Sequence, residues 1–273
     1  MPSDRPAYDY LPADRELRAA IEEHTGPILS STPIRAGFNS PISIRLATKT
    51  GDLFLKGLPT DHPRVWTQTR EAAIGARVAT IAPRVLWQTE TAGWHLVAFE
   101  ALDGHHADYR PDSPDLPHVA EALAWLSVKR APEDVELKHA EHRLRDHAPA
   151  TALAFFAGDA LCHTDPNPTN VIVDHHRARI VDWAWATRGA PWLDAGYWVI
   201  WLIAEGGHTP ASAEQWAARI PAYRDAPTVA VNAFATANDS VWAGIAQADP
   251  DPWTHRVHQA TKAWAVHRTG VAR

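Results

Sequence analysis

The sequence has little cysteine and no long apolar segment, and both absences restrict what the protein can be. Its 273 residues include a single cysteine, Cys162, so no intramolecular disulfide can form and we expect a reducing, cytoplasmic environment. The longest apolar run, residues 197–204, is too short to span a bilayer. The first residues are polar and interrupted by proline, which predicts that no signal peptide is present. We therefore expect a soluble protein with no membrane partner.

Positive charge is also scarce. The chain has 26 Lys and Arg against 32 Asp and Glu, a formal net charge of −6, and no stripe of basic residues. This composition predicts no nucleic-acid partner. An acidic surface could favour a cationic small molecule, although ordinary soluble domains often carry the same excess. The length allows one large domain or two small ones, with a core that needs no covalent cross-links.

One stretch places three polar side chains at a spacing that suggests chemistry. His163, Asp165 and Asn170 form an H-x-D-x-x-x-x-N pattern. Pro166 and Pro168 exclude a regular helix between them, so we expect a rigid, exposed loop.

A predicted hairpin follows this loop. Residues 171–173 are apolar and β-branched, residues 178–181 are apolar except for Arg179, and a polar reversal separates the two runs. The hairpin is expected to return Asp182 beside Asn170. Their oxygens are hard ligands that suit Mg²⁺, which keeps its other positions for phosphates and water. Asp165 would then be available to receive a hydroxyl proton, which is the division of roles found in kinase-type phosphoryl transfer.

The runs HTDPNPTN and IVDWAWATRGAPWLDAGYW resemble the aminoglycoside phosphotransferase family, a branch of the protein-kinase-like fold. In that family the ion-binding aspartate is usually followed by Trp, as Asp182 is here, and then by a Gly-x-Pro-x-x-Asp segment, which ends here at Asp194. The family loop commonly has glycine where this chain has Thr164, and often again near Pro168. Both departures keep the polar trio but stiffen the loop.

The resemblance implies an α+β, two-lobed, protein-kinase-like fold. Its small lobe would hold a five-stranded antiparallel sheet and one helix, and its large lobe would be mainly helical. We assign residues 1–99 to a nucleotide-binding lobe, 100–104 to a hinge, and 105–273 to a helical lobe with the catalytic loop and the acceptor site. Apolar and alternating patterns predict the small-lobe strands at 34–40, 41–47, 53–57, 84–88 and 94–99, with a helix at 63–80.

The resemblance also implies the nucleotide-binding residues. Lys56 ends an alternating strand and would face the nucleotide phosphates, and Glu71, the only acid of the predicted 63–80 helix, would hold it. The glycine-rich loop is reduced to Gly37, so Asn39 and Ser40 are the remaining candidates to donate hydrogen bonds to phosphate.

The function that these residues imply is ATP- and Mg²⁺-dependent transfer of the γ-phosphate to a hydroxyl of a small molecule, an aminoglycoside-like antibiotic or a related metabolite. GTP could replace ATP. Asp165 would be the catalytic base, Asn170 and Asp182 the metal ligands, and the acceptor could be cationic. Two alternatives are kept. One is a nucleotide-binding protein of the same fold without catalysis; the other is a metal-dependent hydrolase that uses His163, Asp165, Asp182 and one of the paired histidines.

Several conspicuous residues have simpler interpretations. Cys162 is expected to be a small buried hydrophobe, and His163 to support the loop by hydrogen bonding. Asp194 is expected to tether the loop from beneath. The many histidines lack zinc-site spacing, and tryptophans such as Trp198 and Trp201 are expected in the core.

Overall fold

The computed structural model describes residues 15–34 and 40–270. The chain forms two compact units. The first runs to Asp103 and includes Val181–Ala184, and the second comprises Gly104–Ile180 and the residues from Trp185 onward.

The first unit is built on a five-stranded, fully antiparallel sheet, as predicted. The strands are β1 (Ile28–Pro33), β2 (Ile42–Thr48), β3 (Gly51–Pro59), β4 (Val85–Thr91) and β5 (Trp94–Glu100), and they lie in the order β1-β2-β3-β5-β4. Two helices accompany the sheet, α1 (Arg15–Thr25) and α2 (Val65–Gly75), where one was predicted.

The two faces of this sheet pack against different helices, because successive side chains of each strand point to opposite faces. Ile42, Ile44 and Leu46 on β2 point to one face and are fully buried with Leu17 and Ile21 of α1. The opposite face presents residues such as Phe54, Val97 and Phe99, which pack with Ala72 of α2. Since successive side chains of a strand point to opposite faces, Lys56 lies on the same face as Phe54, the face that α2 covers.

Two predicted elements of this unit differ in the structure. The first strand is Ile28–Pro33 and not 34–40, of which residues 35–39 lie outside the described residues, while Ile34 and Ser40 are not in a strand. The predicted helix at 63–80 is shorter and spans only Val65–Gly75.

The second unit is mainly helical. Its short strands are β6 (His105–His106), β7 (Lys138–His139), β8 (Ala160–Cys162), β9 (Val171–Val173), β10 (Ala178–Ile180) and β11 (Thr187–Gly189). Among its described residues, β6, β9 and β10 form one small sheet, and β7, β8 and β11 form another. The helices are α3 (Asp115–Ser127), α4 (Ala140–Arg143), α5 (Ala150–Leu153), α6 (Leu193–Ala204), α7 (Pro210–Ala217), α8 (Pro221–Arg224), α9 (Thr228–Ala248) and α10 (Pro252–Thr269).

Helix α6 is the apolar centre of the second unit. Trp198 and Trp201 are buried along it, as predicted, and Phe234 of α9 packs edge-on against Tyr197. The predicted hairpin is also present, with β9 and β10 paired antiparallel from Val171 to Val173. None of the helices in the described residues combines the length and the apolar character that a membrane span requires.

Candidate active site

Lys56 and Glu71 form the ion pair that the sequence predicts. Lys56 Nζ donates to Glu71 Oε1 at 2.7 Å and to Oε2 at 2.9 Å. Lys56 projects from β3 and Glu71 from α2, and only 14% and 6% of their side chains are exposed. The pair is therefore shielded from the screening that weakens surface ion pairs.

Asp182 shares the same ammonium group. Its Oδ1 lies 3.3 Å from Lys56 Nζ, and the backbone of the next residue, Trp183, donates a hydrogen bond to Glu71. Burial alone would lower the pKa of Lys56, but the charges of Asp182 and Glu71 outweigh burial and raise that pKa above its ordinary value. Two carboxylates around one ammonium leave this cluster with one net negative charge. A divalent cation beside Asp182 would complement that charge.

Ser40 is placed near the same helix. Its hydroxyl lies 3.2 Å from the side-chain amide of Gln68, one turn before Glu71 on α2. Gln68 is itself buried and also lies 3.1 Å from His95 Nδ1. The other predicted phosphate-binding residue, Asn39, lies outside the described residues, so its role stays a prediction.

In the second unit, two amide side chains hold Asp165. Asn167 Nδ2 donates to Asp165 Oδ2 at 3.0 Å, and Asn170 Nδ2 donates to the same oxygen at 3.1 Å and to the Asp165 carbonyl at 3.0 Å. Because Asn170 uses its nitrogen for Asp165, its amide oxygen is the atom suited to a cation. The buried hydroxyl of Tyr109 donates to the Pro166 carbonyl at 2.8 Å and holds the loop from another side.

Asp194 supports this loop from beneath, as predicted. At the start of α6, its two carboxylate oxygens accept from the backbone N–H groups of His163 (2.9 Å) and Thr164 (2.6 Å). Burial raises the pKa of Asp194 to about 6, although these hydrogen bonds and the charge of Arg143 oppose the rise. His163 is buried and its Nδ1 accepts from the backbone of Asp165 at 3.3 Å, which agrees with a supporting role.

The prediction of an exposed loop is wrong. His163 and Thr164 are buried, Pro166 is buried, and residues Pro168–Asn170 form a single turn of 3-10 helix. The loop can be buried because Asp194, Tyr109 and the side chains of the loop itself satisfy its polar groups. Thr164 also adopts a φ of +71°, in the left-handed region that glycine favours.

Sequence reasoning missed Asn167, although a signal for it was present. Its Oδ1 accepts from the backbone N–H groups of Thr169 and Asn170, and Pro168 follows it directly. Asn before Pro at the start of a helical turn is the usual N-cap pattern. Asn167 therefore connects the capped turn to Asp165.

The structure agrees with the simpler interpretation of Cys162. Cys162 is buried, and burial raises the pKa of its thiol well above its ordinary value, so it is poorly suited to be a nucleophile. His105 bonds Asp115, and His139 contacts Glu141 and His142. Across residues 15–34 and 40–270, no three His, Cys, Asp or Glu side chains gather in a way that could hold a metal ion.

Comparison with solved structures finds similar folds. A choline kinase from Streptococcus pneumoniae superposes with a TM-score of 0.62 at 12% identity, covering 91% of this chain and 97% of the kinase. An aminoglycoside phosphotransferase from Streptomyces rimosus, determined with ADP and streptomycin, gives 0.55 at 16% identity, covering 91% and 96%. A type I macrolide 2'-phosphotransferase gives 0.52 at 15% identity, covering 91% and 95%.

No protein-family model and no curated protein sequence matches the chain. At these low identities the likeness concerns the fold, and it extends over nearly the whole of each solved structure. It confirms the resemblance seen in the loop and hairpin motifs at that level. The chain has the protein-kinase-like fold of the aminoglycoside phosphotransferases and choline kinases.

Proposed function

We propose that this protein is an ATP- and Mg²⁺-dependent phosphotransferase that moves the γ-phosphate to a hydroxyl of a small molecule. The observation that carries the proposal is the buried cluster of Lys56, Glu71 and Asp182 in the first unit. A strand lysine held by a helix glutamate beside a metal-binding aspartate is the arrangement that kinases use for the nucleotide phosphates. The solved structures of similar fold are small-molecule kinases or phosphotransferases, which supports the same reaction class.

On the nucleotide side, Lys56 would bind the α- and β-phosphates while Glu71 keeps its ammonium in place. Asp182 would bind Mg²⁺, which would neutralise the remaining negative charge of the cluster. One structure of similar fold was determined with AMP and another with ADP, so an adenine nucleotide is the preferred donor, with GTP as the alternative. Backbone groups of residues 100–104 would bind the base, and Ser40 and Asn39 would cover the phosphates.

On the acceptor side, Asp165 would take or orient the proton of the attacking hydroxyl. Its Oδ2 is held by two neutral amides, which orient the carboxylate without adding a competing positive charge. Asn170 would give its amide oxygen to Mg²⁺. Residues 105–273 would carry the acceptor pocket.

The acceptor would be a small molecule such as an aminoglycoside-like antibiotic or an amino alcohol. The solved structures of similar fold include one with streptomycin and one named for choline, both cations. The net charge of −6 on this chain also favours a cationic acceptor.

The first test is calorimetric titration of the chain with ATP, with and without Mg²⁺. We expect saturable binding that requires Mg²⁺ and weakens about tenfold or more in Asp182→Asn, which removes one charge from the cation site. Asp146→Asn, a mutation of a carboxylate that is 81% exposed, is the matched control and should bind as the unmodified chain does.

A second step separates the proposal from its alternatives. Phosphate transfer to a member of a library of cationic antibiotics and amino alcohols would support the kinase, whereas ATP binding without transfer to any acceptor would favour the non-catalytic alternative. Absence of ATP and GTP binding in the unmodified chain would reject the proposal. A tightly bound transition metal found by elemental analysis would then favour the hydrolase.

A further inference from the structure

Thr164 occupies a backbone conformation that its side chain disfavours. Its φ of +71° is in the left-handed region, where a β-branched residue is strained. Asp182 has a similar φ of +65°, but aspartate is one of the residue types that tolerate this conformation. The residue immediately before Asp165 therefore needs an external constraint to remain where it is.

Part of that constraint acts on the backbone. The N–H groups of His163 and Thr164 both donate to the carboxylate of Asp194. These two hydrogen bonds fix the backbone on the N-terminal side of Thr164. They would hold a glycine at this position equally well, because they involve no atom of the Thr164 side chain.

The remaining constraint comes from Arg143, the last residue of α4. Its Nη1 donates to Thr164 Oγ1 at 2.7 Å and to Thr187 Oγ1 at 2.8 Å. Nη1 carries two N–H bonds, so these two hydroxyl oxygens match its donors. The Thr187 hydroxyl in turn donates to the Trp185 carbonyl at 2.9 Å, and Thr164 Oγ1 lies 3.5 Å from the same carbonyl. Both hydroxyl groups thus have their protons directed to Trp185 and their lone pairs directed to Arg143.

The two threonines that Arg143 contacts are buried, and one of them lies in a paired strand. Thr187 is in β11 and pairs with Cys162 of β8, the strand that leads directly into His163. Thr187 is fully buried and Thr164 is 6% exposed, so water competes poorly for these hydrogen bonds. A charged donor to neutral acceptors in such a place forms a stronger hydrogen bond than a neutral pair.

We propose that Arg143 is a positioning residue that holds Thr164 in the left-handed conformation and thereby fixes the carboxylate of Asp165 for the hydroxyl proton, an inference that rests on the function proposed above. In this proposal Arg143 acts on the reaction through its hydrogen bond to Thr164. Its effect on the reaction should therefore depend on the residue at position 164.

The test is a double-mutant cycle. Arg143→Met removes the donors and keeps most of the volume, whereas Arg143→Lys keeps a charged donor. Thr164→Gly removes the strain together with the hydroxyl, and Thr164→Val keeps the branched carbon but removes the oxygen. Arg145→Met is the matched control, because Arg145 is an exposed arginine two residues along whose ion pair is with Asp146. Phosphate transfer is measured with a verified acceptor at saturating and at limiting ATP.

We expect R143M to lower kcat about 10- to 100-fold, because small displacements of a reacting group have effects of this size. The KM for ATP should stay within about threefold, and R143K should recover part of the loss. T164V should lose about as much as R143M, with no further loss when the two are combined. In the T164G background, R143M should change kcat by less than about threefold, since glycine adopts the left-handed conformation without support.

Amide hydrogen exchange at residues 163–165 gives a readout that does not depend on catalysis. R143M should accelerate exchange there about tenfold or more in the native Thr164 background, and much less in the T164G background. Equal effects of R143M in both backgrounds, no recovery by R143K, or a change in the KM for ATP with kcat unchanged would each overturn the proposal. If R143M does not fold, R143K and T164V carry the same comparison.

The two proposals fail in different ways. If the unmodified chain transfers no phosphate but the exchange cycle shows the coupling, the proposed function fails and the hold of Arg143 on Thr164 stands. If transfer occurs and neither kcat nor exchange shows coupling between positions 143 and 164, the role of Arg143 fails and the kinase reaction stands.

Discussion

Lys56 and Asp165 are each fixed by two neighbouring side chains, but the neighbours differ in charge and in distance along the sequence. Lys56 is held by carboxylates 15 and 126 residues away. Asp165 is held by neutral amides two and five residues away. The first arrangement depends on the folding of the whole first unit, whereas much of the second is encoded within one loop.

We therefore expect mutation of Lys56 to lower the stability of the fold, and mutation of Asp165 to lower the rate of phosphate transfer. Removing the ammonium of Lys56 leaves two carboxylates without their common cation in a shielded place, which destabilises the fold. Changing Asp165 to asparagine keeps an oxygen that can accept from the neutral amides of Asn167 and Asn170, so the fold should be little affected. Three mutations test this difference.

The largest effect is expected from Asp165→Asn. This change keeps the shape of the side chain but removes the proton acceptor, so kcat should fall about 100- to 10,000-fold. ATP affinity and the melting temperature should change little, because the two amides that hold Asp165 are neutral and can donate to the asparagine oxygen as well. Phosphate transfer to a verified acceptor measures the first effect, and calorimetric titration and thermal melting measure the others. Full transfer activity in D165N would remove Asp165 from the role of base.

Lys56→Met should have the next largest effect, on stability. It leaves the buried Glu71 and the partly exposed Asp182 without their common cation, and we expect a loss of about 3 kcal/mol in the free energy of unfolding. Urea denaturation near neutral pH measures this change. Lys262→Met, a mutation of an exposed lysine on α10, is the control and should cost much less. The double mutant Lys56→Met/Glu71→Gln should recover part of the loss, and no recovery would show that charge balance is not what Lys56 supplies.

The smallest of the three effects concerns Asp194 and depends on pH. Its folded-state pKa of about 6 lies above its ordinary value of 3.8, so the carboxyl favours the folded state most when it is protonated. That contribution is complete below the ordinary value and is lost as the pH rises through about 6. Relative to Asp194→Asn, the native chain should therefore gain about 1.4 kcal/mol in unfolding free energy from about pH 7.5 to about pH 5. Urea denaturation across this range measures the difference, and a difference that does not vary with pH would contradict the raised pKa.

The sequence was informative where local pattern and chain order determine the structure. The family resemblance implies a strand lysine held by a helix glutamate, and Lys56 and Glu71, the only acid of the predicted 63–80 helix, occupy those places in the chain order. The ion pair could therefore be predicted without coordinates. For the second unit the sequence predicts helices at 115–130, 193–205, 212–220, 228–247 and 252–267. The structure has α3, α6, α7, α9 and α10 at these places, with ends within about three residues of the predicted ones.

The failures occurred where long-range contacts decide the outcome. The edge strand β1 has the sequence Ile-Leu-Ser-Ser-Thr-Pro, whose polar residues hide the strand pattern. The loop at His163 looked exposed because it is polar and rich in proline, but Asp194, 31 residues away from His163, satisfies its backbone. Arg143 lies 21 residues from Thr164 in the sequence, and no local sequence pattern predicts that the two side chains are in contact.

The single cysteine gives this protein a built-in reporter of the loop. Cys162 is 1% exposed at the end of β8, directly before His163, and its thiol has no second cysteine with which to react. A thiol reagent can reach it only when the structure around β8 opens, so the labelling rate would report how often the strand that leads into the loop becomes accessible. Adding nucleotide or acceptor and following that rate would show which ligand keeps the strand closed, with no introduced probe.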